Sequence, residues 1–138
     1  MEKPILGMDQ ARAVLDAIFK AASAEPDRPL AVAIVDDGGD LVSYGRMDGC
    51  IKLAQRLALK KAYTISMMGK DGQQCKEFAL SQGISILDYA DANMTAAPSG
   101  VVIRRPTDDA IIGGIGISGR GPAENEELGR IGLIAIGL

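Results

Sequence analysis

Arg46, Asp48, Lys61, Arg120 and Glu124 mix three cations with two carboxylates. Such a mix binds an anionic substrate and moves its protons. Arg46 and Asp48 flank Met47 at a strand end, where alternate residues share a face. Arg46 there either clamps a carboxylate with its planar fork or forms a salt bridge. Asp48 is placed to cap the following helix. Lys61 falls on the apolar face of a helical pattern. Burial would depress its pKa and make it a base or a Schiff-base nucleophile. The alternative is a lysine that snorkels to the surface or pairs with a carboxylate. Ser118-Gly119-Arg120-Gly121 joins a strand end to a helix start. Free backbone N–H groups and the positive dipole end there suit a carboxylate or phosphate, and Arg120 adds charge. The loop is neither a Walker nor a dinucleotide motif. Glu124 is a candidate acid or base, although a solvated first helical turn accounts equally well for Glu124, Glu126 and Glu127.

Composition removes several chemistries. The chain has no histidine, so Ser-His-Asp and Cys-His catalysis and histidine zinc sites are excluded. Cys50 and Cys75 are too few for an all-thiolate zinc site and read as two reduced thiols, so no metal site is expected. Met67-Met68 reads as core filler rather than haem ligation. A net charge of -3 and 4% aromatic residues argue against nucleic acid, which needs basic footprints or stacking faces. No run approaches the ~20 apolar residues of a membrane span. Met1-Glu2-Lys3-Pro4 is polar and leads straight into an amphipathic pattern, so a cytoplasmic protein is expected. Ile131 to Leu138 reads as a buried helix end at a subunit contact.

The elements that must position these residues are legible from periodicity. Ala11, Val14, Leu15, Ile18 and Ala22 form one helical face from about Asp9 to Ala24, capped by Asp9 or Gly7. Leu30–Val35 and Leu41–Met47 read as two strands joined through Asp36-Asp37-Gly38-Gly39-Asp40, a hairpin turn. Ile51, Ala54, Leu57, Ala58, Lys61 and Ile65 predict a helix ending near Met68, with Gly69 as its C-terminal glycine. Gln73–Gln82 predicts a shorter helix. The stretch from Ile84 to Ala97 supports only a turn or short helix. Gly100–Arg104 and Ala110–Ser118 read as strands around a turn at Thr107-Asp108-Asp109. Pro122 or Ala123 opens a last helix, in which Gly129 and Gly132 suggest close packing. Gly113, Gly114 and Gly116 either line a ligand or serve close packing. Hairpins separated by a helical block predict an α+β fold with an antiparallel sheet, in one domain spanning residues 1–138.

Three stretches together resemble one family: AVAIVDDGGDLVSYGRMDGC (residues 31–50), ALKKAYTISMMG (58–69) and IIGGIGISGRGPAENEELGRIGL (111–133). Their order, spacing and wording resemble the GlcG/HbpS proteins, also called the haem-degrading domain family. The resemblance implies a profilin-like fold, a homo-oligomer, and a small ligand that in some members is haem or another tetrapyrrole. It also places Lys61, rather than Lys60, at the family position. Without histidine, haem would rest on Met, Tyr, Cys or Lys, or on no strong protein ligand. Arg120 stands where a second glycine is common in the family, and Asn125 where an aspartate is common. Both departures suggest an anionic ligand other than the family's best-known one. The expected function is thus a cytoplasmic small-ligand-binding protein. The alternative is an isomerase, lyase or hydrolase acting on an organic acid, with Lys61, Asp48 and Glu124 as catalytic groups. Arg46, Ser118, Gly119 and Arg120 would then bind the ligand.

Overall fold

The computed structural model describes residues 6–137. Met1 to Pro4, on which the leader expectation rests, and Leu138 lie outside the described residues. The element order is α1 (Met8–Ala22), β1 (Ala31–Asp36), β2 (Leu41–Arg46), α2 (Lys52–Met68), α3 (Gly72–Ser81), a 3₁₀ turn (Ile86–Tyr89), β3 (Gly100–Arg104), β4 (Ile111–Ser118) and α4 (Pro122–Ala135). The strands form one sheet in the order β2-β1-β4-β3, antiparallel throughout. The fold is therefore α+β. Among the described residues no helix is long and apolar enough to cross a membrane.

The hairpin turn is built by Asp36. Its carboxylate accepts from the amides of Gly38 and Asp40, and Gly39 takes a φ of 81°. Few side chains adopt that angle. Pleating then sorts β1 by alternation. Val32 and Ile34 join Ile115, Ile117, Val14, Ile18 and Leu128 in a core beneath α1 and α4. Ala31, Ala33 and Val35 face α2, which meets them with Ala54, Ala58 and Ala62.

The second face is packed backbone to backbone. A Cβ on Gly116 would lie 2.3 Å from the Ala62 nitrogen and 2.4 Å from the Ala58 oxygen. A Cβ on Gly114 would lie 2.9 Å from the Ala62 oxygen. These glycines therefore serve close packing, and so do Gly129 against Val101 and Gly132 against Val14 and Ile18. Helix α2 ends at Gly69 with φ 67°, whose amide returns to the Ile65 carbonyl. Edge strand β3 is covered at Val102, whose amide donates to Asp71 at the start of α3 (2.9 Å).

Three local expectations need correction. Asp48 does not cap α2. The chain makes an exposed turn at Asp48-Gly49, and the N-cap falls on Ile51. Glu126 is not solvated; it is buried and accepts the Gln73 amide from α3 (2.6 Å). The C-terminal helix end is buried on one side only: Ile136 joins the main core with Leu133 packed against it, whereas Ile134 is 84% exposed and Ile131 is open.

Candidate functional site

Lys61 lies in the middle of α2, half-buried, with Ala58, Ala62 and Ile65 seating its helix on the sheet. Its Nζ donates to Ser99 Oγ (3.0 Å) and to the Ile117 carbonyl (3.4 Å). Ser99 is buried just before β3 and also donates its hydroxyl to the Ile117 carbonyl (2.8 Å). From the opposite layer, Asn125 of α4 donates Nδ2 to Ser99 Oγ, to the Ile117 carbonyl and to the Arg120 carbonyl. The polar thread thus runs from α2 past the end of β4 to α4. Burial lowers the pKa of Lys61, and the nearby ammonium of Lys76 lowers it further. Both effects disfavour the charged form.

The other sequence-derived residues take separate partners. Arg46 is exposed at the end of β2 and donates to Gln55 Oε1 (2.6 Å), a neutral partner rather than the expected salt bridge. Gln55 is itself anchored on the Cys50 carbonyl. Tyr44, Arg46, Lys52, Gln55 and Arg56 line a shallow cleft of about 340 Å³. Asp48 sits in the exposed turn beyond it. Ser118 is buried and pairs with Ala31 across the ladder. Gly119, at φ 132°, lets the chain pass against Pro29 and Leu30.

Arg120 points inward. Its Nε donates to the Arg28 carbonyl (2.9 Å), and its Nη2 to the carbonyls of Ala22 (2.9 Å) and Glu25 (3.1 Å). Its Nη1 reaches Glu124 (3.2 Å). The expected anion-catching guanidinium is therefore spent on the carbonyl end of α1. Glu124 is also held by Arg28 (2.7 and 3.0 Å), which, with Arg120, lowers its pKa. A carboxyl kept ionised in this way is a poor proton donor at neutral pH.

A second cleft, of about 340 Å³, is lined by Met67, Met68, Lys70, Phe78, Tyr89 and Met94. It lies at the end of α2, against α3 and the 3₁₀ turn. Met67, Phe78 and Tyr89 are exposed, so Met67 is a lining residue and not core filler. Met68 does pack partly against Ile65, Cys75 and Ile86. Lys70 places its ammonium 5.1 Å from the centroid of the Phe78 ring. Both cysteines are buried free thiols. Burial raises the pKa of Cys50 and pushes that of Cys75 up to about 12. Local sequence gave no sign of Ser99, Lys76 or this cleft, because their neighbours are 20 or more residues away or on another helix. The paired methionines at a helix end were the one available hint.

Comparison with known proteins follows this geometry. The family described as haem degrading protein HbpS-like matches residues 6–133. Protein GlcG of Escherichia coli is 28% identical over 116 residues, 84% of this chain and 83% of the relative. Among solved structures, a double mutant of Streptomyces reticuli HbpS superposes with a TM-score of 0.86 at 20% identity, covering 100% of this chain and 91% of that one. The PduOC–haem complex superposes at 0.82 with 23% identity, covering 96% of each chain. At these identities the two structures speak for the fold. The family match spans nearly the whole described chain, and the protein belongs to the HbpS-like family of haem-degrading proteins.

Proposed function

We propose that this protein binds a tetrapyrrole, with haem the first to test, in the cleft of Met67, Met68, Lys70, Phe78, Tyr89 and Met94. The observation that carries the reading is an open apolar cleft offering three thioethers, one phenol and one ammonium. Met and Tyr are known axial donors to haem iron. The chain has no histidine, and burial keeps both thiols protonated, so thiolate ligation is disfavoured. Of the donors that remain, this cleft gathers three thioethers, one phenol and one ammonium in one place. Phe78 and the methionines supply apolar walls, and Lys70 at the rim suits a propionate. The volume lies near the low end of the ~300–1,000 Å³ typical of ligand pockets, so part of a macrocycle would stay outside. Family membership and the haem-bound relative PduOC support the choice of ligand. Bound haem would supply redox and oxygen chemistry, and these side chains would hold and orient it.

The test is a haemin titration followed by Soret absorption. A saturable, shifted band near one haem per chain is expected, weakened by Tyr89→Phe or by replacing Met67 and Met94 with Ala. Absence of saturation, or an identical band in all these variants, would overturn the reading. The reading also includes a cytoplasmic homo-oligomer. The open Ile131 and Ile134 of α4 support the oligomer, and light scattering checks it.

A further inference from the structure

Helix α2 carries Lys52, Arg56, Lys60 and Lys61 and no Asp or Glu, in a chain whose net charge is -3. Lys52, Arg56 and Lys60 follow one another four residues apart, so like charges are neighbours on one exposed face. Lys52 also stands in the first turn, where the helix dipole disfavours a cation, and no acidic residue shares that turn. Each placement costs stability, and local rules are broken in this way chiefly at functional sites. Across from the helix, the end of β2 brings Arg46 to the same place. Tyr44, Arg46, Lys52, Gln55, Arg56 and Leu59 line the cleft of about 340 Å³, and none of them is a carboxylate. Among the described residues, Arg46, Lys52 and Arg56 enter no ion pair. The Arg46 fork meets neutral groups, Gln55 Oε1 (2.6 Å) and the Tyr44 phenol. Gln55 in turn donates to the Cys50 carbonyl (2.8 Å), so the guanidinium is oriented without being neutralised.

We propose that this cleft binds a small phosphate monoester, with the phosphate among Arg46, Lys52 and Arg56 and the organic part along Tyr44 and Leu59. Such a group carries about 1.5 to 2 negative charges near neutral pH and three acceptor oxygens. Two guanidiniums and one ammonium match that charge and offer a donor group for each oxygen. A bound dianion also relieves the repulsion along α2, which no neutral ligand does. The Tyr44 ring and Leu59 supply apolar surface for the substituent. The site lies at the opposite end of α2 from the tetrapyrrole cleft, about 20 Å along the helix. Neither reading depends on the other.

The experiment is an amide NMR titration at physiological ionic strength, with phenyl phosphate, inorganic phosphate and succinate as probes. Phenyl phosphate is expected to saturate with a Kd below about 1 mM and to shift the amides of Tyr44, Arg46, Gln55 and Arg56. Inorganic phosphate is expected to bind severalfold more weakly at the same residues, and succinate more weakly again. Lys52→Gln and Arg56→Gln should each weaken phenyl phosphate about tenfold. Both should keep or raise the melting temperature, because each relieves like-charge repulsion, and this separates loss of binding from loss of fold. Arg46→Lys keeps the charge but not the fork, and should also weaken binding. Lys60 lies on the same face but lines a neighbouring cleft, so Lys60→Gln removes an equal charge as the control and should change the affinity less than about twofold. Absence of saturation, shifts centred elsewhere, succinate binding as tightly as phenyl phosphate, or an equal loss in Lys60→Gln would each overturn the proposal.

Discussion

Replacing Arg120 with Ala should cost stability rather than ligand affinity. The Arg120 side chain is only 4% exposed. Four of its five N–H groups have acceptors: the Ala22, Glu25 and Arg28 carbonyls and Glu124. The first three lie at or just beyond the end of α1; the Ala22 and Glu25 carbonyls each accept one backbone amide already, and Arg120 takes up a second lone pair. Each such bond is worth about 0.5–1.5 kcal/mol net, so losing three costs about 3 kcal/mol. The contact to Glu124 contributes little, because Glu124 is more than a third exposed and keeps Arg28. An unfolding entropy of about 2.1 cal/mol/K per residue gives about 0.3 kcal/mol per degree for a chain of this length, and so a drop in Tm of about 10 °C. Arg120→Lys should recover only a minor part, since one ammonium cannot span acceptors matched to a planar fork. Calorimetric melting measures all three proteins. A fall of less than about 3 °C for Arg120→Ala, accompanied by a loss of phosphate binding, would refute the clamp and restore the anion-catching loop.

Gly116→Ala should lose about 3 kcal/mol or more in urea denaturation, because the new methyl meets the backbone of Ala62 and Ala58 and no side chain can yield. Lys61 also makes a pH prediction. Its folded pKa is lowered, so the unfolded chain binds more protons between the folded pKa and the ordinary lysine value. Its penalty is full below that window and disappears as pH rises through it. The stability of wild type minus that of Lys61→Gln should therefore climb as pH rises toward the ordinary lysine value. A flat difference would contradict the buried-amine reading. Cys75, with its pKa near 12, and buried Cys50 should resist aromatic disulfide reagents at pH 8 in the native protein. Both should react at once in guanidinium. Fast native labelling of either would show that its burial is wrong.

Much of the frame was readable without coordinates. Gly69, the hairpin at Asp36–Asp40 and the strand Gly100–Arg104 stand where spacing put them, because turn chemistry and hydrophobic periodicity act over a few consecutive residues. Asp48 shows the limit: a good capping residue lost the cap because the tight turn at Asp48-Gly49 delayed the helix by three residues. Lys61 was singled out correctly as a lysine on the apolar face of its helix. That its partners would be Ser99 and a carbonyl, with no carboxylate, could not be read from α2 alone.

The sequence by itself determined the element types, the antiparallel α+β arrangement and the absence of histidine chemistry, since these depend on composition and on neighbours along the chain. Only the tertiary structure decided what the polar groups do. Arg120 meets carbonyls more than 90 residues earlier, and Asn125 meets Ser99 across 26 residues. Met67 and Tyr89 come to line one cleft from different elements. Pairings of that range are set by how the layers stack on the sheet, and the stacking leaves no periodic trace in the chain.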